Sequence, residues 1–165
     1  MHAMLAEMAG AGKIIINDLS QERLEACKTA DRRFIPVSGD VKAFIEDITG
    51  GRGADVCITA CPSPAAQKTA TEICAINGRI NFFGGIPASK EPVSIDTNLI
   101  HYKQLMISGT TRSSLIQFRK TLGFISSGML DIENVITDRY GITDINEAFS
   151  NAEQAKGLKH VICYD

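Results

Sequence analysis

The 165-residue sequence predicts an α/β protein built on a doubly wound parallel sheet. Three observations predict it. Apolar runs of strand length alternate along the chain with amphipathic stretches of helix length. The ends of the strand runs carry Asp18, Ala60-Cys61, Phe83-Gly84 and Gly109-Thr110, where a sheet of this kind gathers its ligand contacts. A composition of 44% hydrophobic and 22% charged residues suits one soluble domain with a real core. Right-handed crossovers make double winding the default topology.

The elements follow in order. Met1, Met4, Leu5 and Met8 stand at helical spacing, and Gly10-Ala11-Gly12 ends that helix. Residues 13–18 (KIIIND) form a buried strand that closes on an acidic residue. Ser20 caps the next helix, with Leu19 and Leu24 placed for a hydrophobic staple. A short strand covers 34–37. Asp40 caps a helix whose Val41, Phe44, Ile45 and Ile48 repeat at i, i+3, i+4, i+7, and Gly50-Gly51-Arg52-Gly53 stops it. Residues 55–60 (DVCITA) read as another buried strand. Ser63 and Pro64 fit the N-cap and first position of a helix ending near Asn77-Gly78. Residues 79–83 form a strand ending on Gly84-Gly85, and 105–108 one ending on Gly109. A long helix then turns Leu115, Phe118, Leu122 and Ile125 inward and stops at Gly128. A last helix over 143–155 carries Ile145, Ala148, Phe149 and Ala152, and 160–164 is a terminal strand.

Much chemistry is excluded. Net charge is −2 with both signs mixed, so no basic stripe offers itself to nucleic acid. No apolar run is long enough to span a bilayer, and the start has neither the basic region nor the cleavage site of a secretory signal. The five cysteines, Cys27, Cys57, Cys61, Cys74 and Cys163, are odd in number and irregular in spacing. They read as reduced core residues of a cytoplasmic protein rather than as metal ligands. Residues 9–13 fail as a phosphate loop, no G-x-S-x-G elbow exists, and His2, His101 and His160 are scattered. No catalytic residue is assigned.

Asp18 carries the sharpest signal. A carboxylate at a strand tip beside a helix start accepts two hydrogen bonds from a ribose diol and repels a 2′-phosphate, favouring NAD over NADP. It equally suits capping of the helix at Ser20, and both readings stand. Arg23, in the first turn, either reaches that ribose or is a solvated arginine. Gly84, Gly85 and Gly109 either admit a ligand to the backbone or serve as turns. A dinucleotide fold opens with a strand and a G-x-G-x-x-G turn that binds the pyrophosphate. This sequence starts inside what reads as the helix after that turn.

The stretch from Met1 to Asp18 with Ser20-Gln21-Glu22-Arg23-Leu24 is similar to the coenzyme domain of zinc-dependent medium-chain alcohol and polyol dehydrogenases, nearest the sorbitol and threonine dehydrogenase branch. Gly53-Ala54-Asp55-Val56, Asn77-Gly78-Arg79-Ile80, Phe83-Gly84-Gly85 and Ile107-Ser108-Gly109-Thr110 continue the likeness. So do Ile136-Thr137-Asp138-Arg139-Tyr140, Ile145-Asn146-Glu147-Ala148-Phe149 and Gly157-Leu158-Lys159-His160-Val161. The resemblance implies a Rossmann-like domain over 1–165, lacking its first strand and glycine-rich turn, with 156–165 returning to an absent catalytic domain. It implies that Asp18, with Arg23, holds the NAD ribose. Ala60 and Cys61 would flank the adenine, and Phe83, Gly84 and Thr110 would line the nicotinamide. Pro62 stands where many relatives have glycine. Zinc would be held only in the absent domain, where it would polarise the alcohol, so the isolated chain is expected to be inactive. The substrate implied is a small alcohol or polyol. A homodimer or higher oligomer is also implied, the strand at 105–109 extending a sheet across two copies. A methyltransferase, which also sets an acid after its second strand, and a non-catalytic self-associating domain are the alternatives. The missing central strand leads to one more expectation. Strands 13–18 and 55–60 pair directly, or 160–164 or a partner's strand fills the slot.

Overall fold

The computed structural model describes residues 1–30 and 33–164. Helices and strands alternate as expected: α1 His2–Met8, β1 Ile14–Asn17, α2 Gln21–Ala30, β2 Phe34–Val37, α3 Val41–Thr49, β3 Ala54–Thr59 and α4 Pro64–Ile73. There follow β4 Cys74–Phe82, α5 Thr97–Lys103, β5 Met106–Gly109, α6 Leu115–Ser126, β6 Ile136–Gly141, α7 Ile145–Glu153 and β7 Lys159–Cys163. Every strand pair is parallel. The ladders are β1-β2, β3-β4-β5 and β6-β7. The chain divides into two compact units, residues 1–39 with the segment from Ser114 onward, and Asp40–Ser113.

In the first unit, β1 lies beside β2 in the register Ile14↔Phe34 to Asn17↔Val37. Ile14, Phe34, Val37 and Leu24 of α2 are buried. Ser20 caps α2, its Oγ accepting from the Arg23 amide at 3.3 Å. The staple does not form, because Leu19 is fully exposed. The Ser20 amide donates to Asp18 Oδ1 at 2.8 Å, and that side-chain turn shapes the entry to α2 with Leu19 outside it. Further along the unit, β6 pairs with β7, and Ala148 of α7 is buried. The α6 stripe is also corrected. Leu115, Phe118 and Leu122 are 62%, 55% and 49% exposed. Helical spacing tells which face is apolar, not whether another element covers it.

In the second unit, β3-β4-β5 buries Cys57, Ile80 and Leu105 against Ala70 of α4 and Cys74. Asp40 caps α3 through the Lys42 and Ala43 amides, and Ser63 with Pro64 opens α4. The strand expected to be buried is covered on one side only, since Val56 and Ile58 are exposed. Helix α4 stops at Ile73 rather than near Asn77-Gly78. Lys103 Nζ donates to the carbonyls of Glu72 at 2.6 Å and Cys74 at 2.9 Å, and the chain enters β4 at once. Helix α5 and strand β6 were not among the expected elements.

Among the described residues β1 is paired only with β2 and β3 only with β4, and the terminal strand is paired with β6. Among the described residues direct pairing of β1 with β3 is not found, and 160–163 pairs with β6.

Candidate functional site

The second unit brings three strand ends together. Thr59 closes β3 and leads into Ala60-Cys61. Phe82 closes β4 and leads into Phe83-Gly84-Gly85. Gly109 closes β5 and leads into Thr110. The first two ends are in backbone contact. The Gly84 amide donates to the Thr59 carbonyl at 2.7 Å. A Cβ on Gly84 would sit 2.5–2.7 Å from the O, C and N atoms of Cys61. Gly84 is thus required by the neighbouring loop rather than left open for a ligand, and it fixes where Cys61 lies. Buried Gln67 of α4 donates through Nε2 to the Gly84 carbonyl at 3.3 Å.

The third end is tied to the second. The Thr110 amide donates to the Phe82 carbonyl at 3.3 Å. Its hydroxyl donates to Asn81 Oδ1 at 3.3 Å, and Asn81 Nδ2 donates to Ser108 Oγ at 3.0 Å. Outside these ties lies a cleft of about 420 Å³, lined by Phe83, Gly85, Thr110, Thr111, Arg112 and Ser113. A Cβ on Gly85 would meet nothing within 4 Å, so this glycine leaves room where Gly84 does not. Arg112 adopts φ 59°, a left-handed conformation that is uncommon without glycine and recurs at functional sites.

Cys57 lies buried beneath the strand ends. Its hydrogen bond to Cys74, reinforced by burial, raises the thiol far above its ordinary value, so it stays protonated and is no nucleophile. Cys61 is exposed.

Asp18 and Arg23 belong to the first unit. Asp18 directly follows β1 and is half-buried. Oδ1 is engaged by the Ser20 amide, which is the capping role. An ionised carboxylate has two oxygens and about four acceptor positions, so capping does not exhaust it. Arg23 Nη2 donates to the Ala155 carbonyl, just past α7, at 3.4 Å. Its buried Nε has no hydrogen-bond partner among the described residues.

Sequence reasoning missed Thr111, Arg112 and Ser113 of the cleft, and Gln67 beneath it. Gln67 had a signal, for it stands three residues before Ala70 on the covered face of α4. The backbone state of Arg112 had none. Among the described residues no three His, Cys, Asp or Glu side chains converge to hold a metal, and no helix is long and apolar enough to cross a membrane.

The family model described as zinc-binding dehydrogenase matches residues 1–127. The L-threonine 3-dehydrogenase of Pyrococcus furiosus is 31% identical over 162 residues, which is 95% of this chain and 46% of that protein. The sorbitol dehydrogenase of Bacillus subtilis is 30% identical over 158 residues, 94% of this chain and 44% of that protein. Among solved structures, a short chain alcohol dehydrogenase from Escherichia coli CFT073, complexed with NADH, superposes with a TM-score of 0.82 at 21% identity. That match covers 98% of this chain and 48% of the other, and shows a shared fold. The chain spans about half the length of the curated relatives it matches.

Proposed function

The chain belongs to the zinc-binding dehydrogenase family, and on that footing we propose that it is the coenzyme-binding part of an NAD-dependent alcohol or polyol dehydrogenase. The observation that carries this is Asp18, a carboxylate at the end of a parallel strand and beside a helix start. Its acceptor capacity beyond the Ser20 amide suits the two hydroxyls of an adenosine ribose. Its charge disfavours a 2′-phosphate, so NAD is preferred to NADP. The NADH complex of the Escherichia coli enzyme agrees with a dinucleotide on this fold.

NAD, when bound, supplies the hydride acceptor for a secondary alcohol. Ala60 and Cys61 would bound the adenine side. Phe83, the Gly84 backbone and Thr110 would wall the nicotinamide side, where the roughly 420 Å³ cleft is open. No three-ligand set for zinc exists among the described residues. The whole of 1–165 acts as one coenzyme-binding domain in this reading. Its substrates in the complete enzyme are small alcohols or polyols. The five cysteines are free, which suits a reducing, cytoplasmic compartment. The outer edge of β5, where Met106 is 66% exposed, suits self-association.

Calorimetric titration tests the reading. NADH is expected to bind more tightly than NADPH or S-adenosylmethionine. Asp18→Asn removes a charge-assisted acceptor and is expected to weaken NADH about ten- to hundredfold while narrowing its advantage over NADPH. An NADH affinity that ignores the substitution, or tighter binding of S-adenosylmethionine, overturns it.

A further inference from the structure

Away from the coenzyme cleft, one histidine gathers the carboxy-terminal end of the chain. His160 stands opposite Asp138 in the β6–β7 register, and its side chain is 8% exposed. Nε2 lies 2.9 Å from the Lys156 carbonyl. A carbonyl only accepts, so Nε2 carries a proton there. Nδ1 is sealed from solvent and makes no hydrogen bond of regular geometry. It lies 3.1 Å from Oδ2 of Asp138. The Tyr140 ring packs 5.8 Å away. Its hydroxyl accepts from Asn151 Nδ2 at 2.9 Å, and Asn151 Oδ1 accepts from Lys156 Nζ at 3.1 Å. Strands β6 and β7 and the turn after α7 therefore meet at one ring, and α7 is joined to it through Tyr140. The charged neighbours are Asp138 on β6 and Lys156 beyond α7. Arg139 is engaged by Glu133, and Lys159 is exposed.

With Nε2–H committed to a carbonyl, a singly protonated ring sets the Nδ1 lone pair against a carboxylate oxygen, which repels. A doubly protonated ring makes both contacts attractive. We propose that His160 is a proton-operated clasp: with both nitrogens protonated it holds β7 to β6 and to the turn after α7, and loss of the Nδ1 proton loosens that strand. Asp138 is the sensing partner. Its carboxylate rewards the proton on Nδ1, whereas a carboxamide could donate to the bare nitrogen instead.

Hydrogen exchange of the full chain tests this, with each rate divided by the unstructured-chain rate at the same pH. Measurements are made near pH 5.5 and near pH 8.5, where a histidine is respectively favoured in its doubly and singly protonated form. Protection of residues 160–163 is expected to fall about tenfold at the higher pH, with Ile80 and Phe82 of β4 unchanged. Asp138→Asn is expected to abolish that dependence while keeping β7 protected. A second readout needs no variant: nitrogen NMR of the His160 ring is expected to show two protonated nitrogens at the lower pH and one at the higher. Equal β7 protection at both pH values, an Asp138→Asn chain as pH-dependent as the parent, or a ring with one proton throughout overturns the clasp.

Discussion

Gly84→Ala is expected to destabilise the protein by about 3 kcal/mol, the upper end of overpacking costs, because the atoms it strikes are backbone. The new methyl would lie 2.5–2.7 Å from three main-chain atoms of Cys61. No rotamer change relieves that contact, so one of the two loops must move. The Gly84 amide bond to Thr59 and the Gln67 bond to the Gly84 carbonyl are strained with it. In a thermal melt the midpoint is expected to drop by roughly 6–12 °C for a chain of this size. Gly85→Ala is the matched comparison, since its methyl meets nothing within 4 Å and its backbone is not left-handed. That neighbour is expected to melt within about 2 °C of the parent, the range of surface substitutions. Equal melting of the two variants would show that the β3 and β4 loops are not in the contact described.

Lys103→Met is expected to cost about 2–3 kcal/mol, read as a lower urea midpoint with an unchanged slope. The ammonium donates to two carbonyls at the end of α4, those of Glu72 and Cys74. Charge-assisted bonds contribute about 1.5–3 kcal/mol each, and partial exposure of Lys103 reduces their sum. A cation is also favoured where the helix dipole ends negative. Methionine keeps the apolar stem and leaves both carbonyls without their donor. Lys103→Arg, which can still donate, is expected to recover part of the loss. A methionine variant as stable as the parent would mean that water replaces the ammonium at no cost.

Elements with a strong local cause were legible in the sequence. Ile14–Asn17 and Phe34–Val37 are apolar runs, and Asp40 and Ser63-Pro64 are caps whose chemistry is local. Elements with a distant cause were not. Helix α4 stops four residues earlier than Asn77, and at that end a lysine 30 positions on, Lys103, donates to the Glu72 and Cys74 carbonyls. Strand β6 has Asp138 and Arg139 in its middle, a pattern closer to a loop than to an apolar strand. Asp96 is a local cue to α5, its side chain accepting from the Asn98 amide. At the site, the strand-end positions of Asp18, Cys61, Gly84 and Thr110 were readable from the alternation of elements. The Cys61 backbone behind Gly84, the left-handed Arg112 and the Arg23 contact with Ala155 depend on tertiary neighbours, and no spacing rule reports them.

The half-covered β3-β4-β5 sheet governs how the molecule behaves in concentrated solution. Val56, Ile58 and Met106 turn an oily surface to water, and β3 leaves one row of backbone donors and acceptors unmated within its ladder. Surfaces of that kind draw molecules together. Sulfate and other excluded salts strengthen the attraction, so they lower the concentration this chain tolerates before it precipitates.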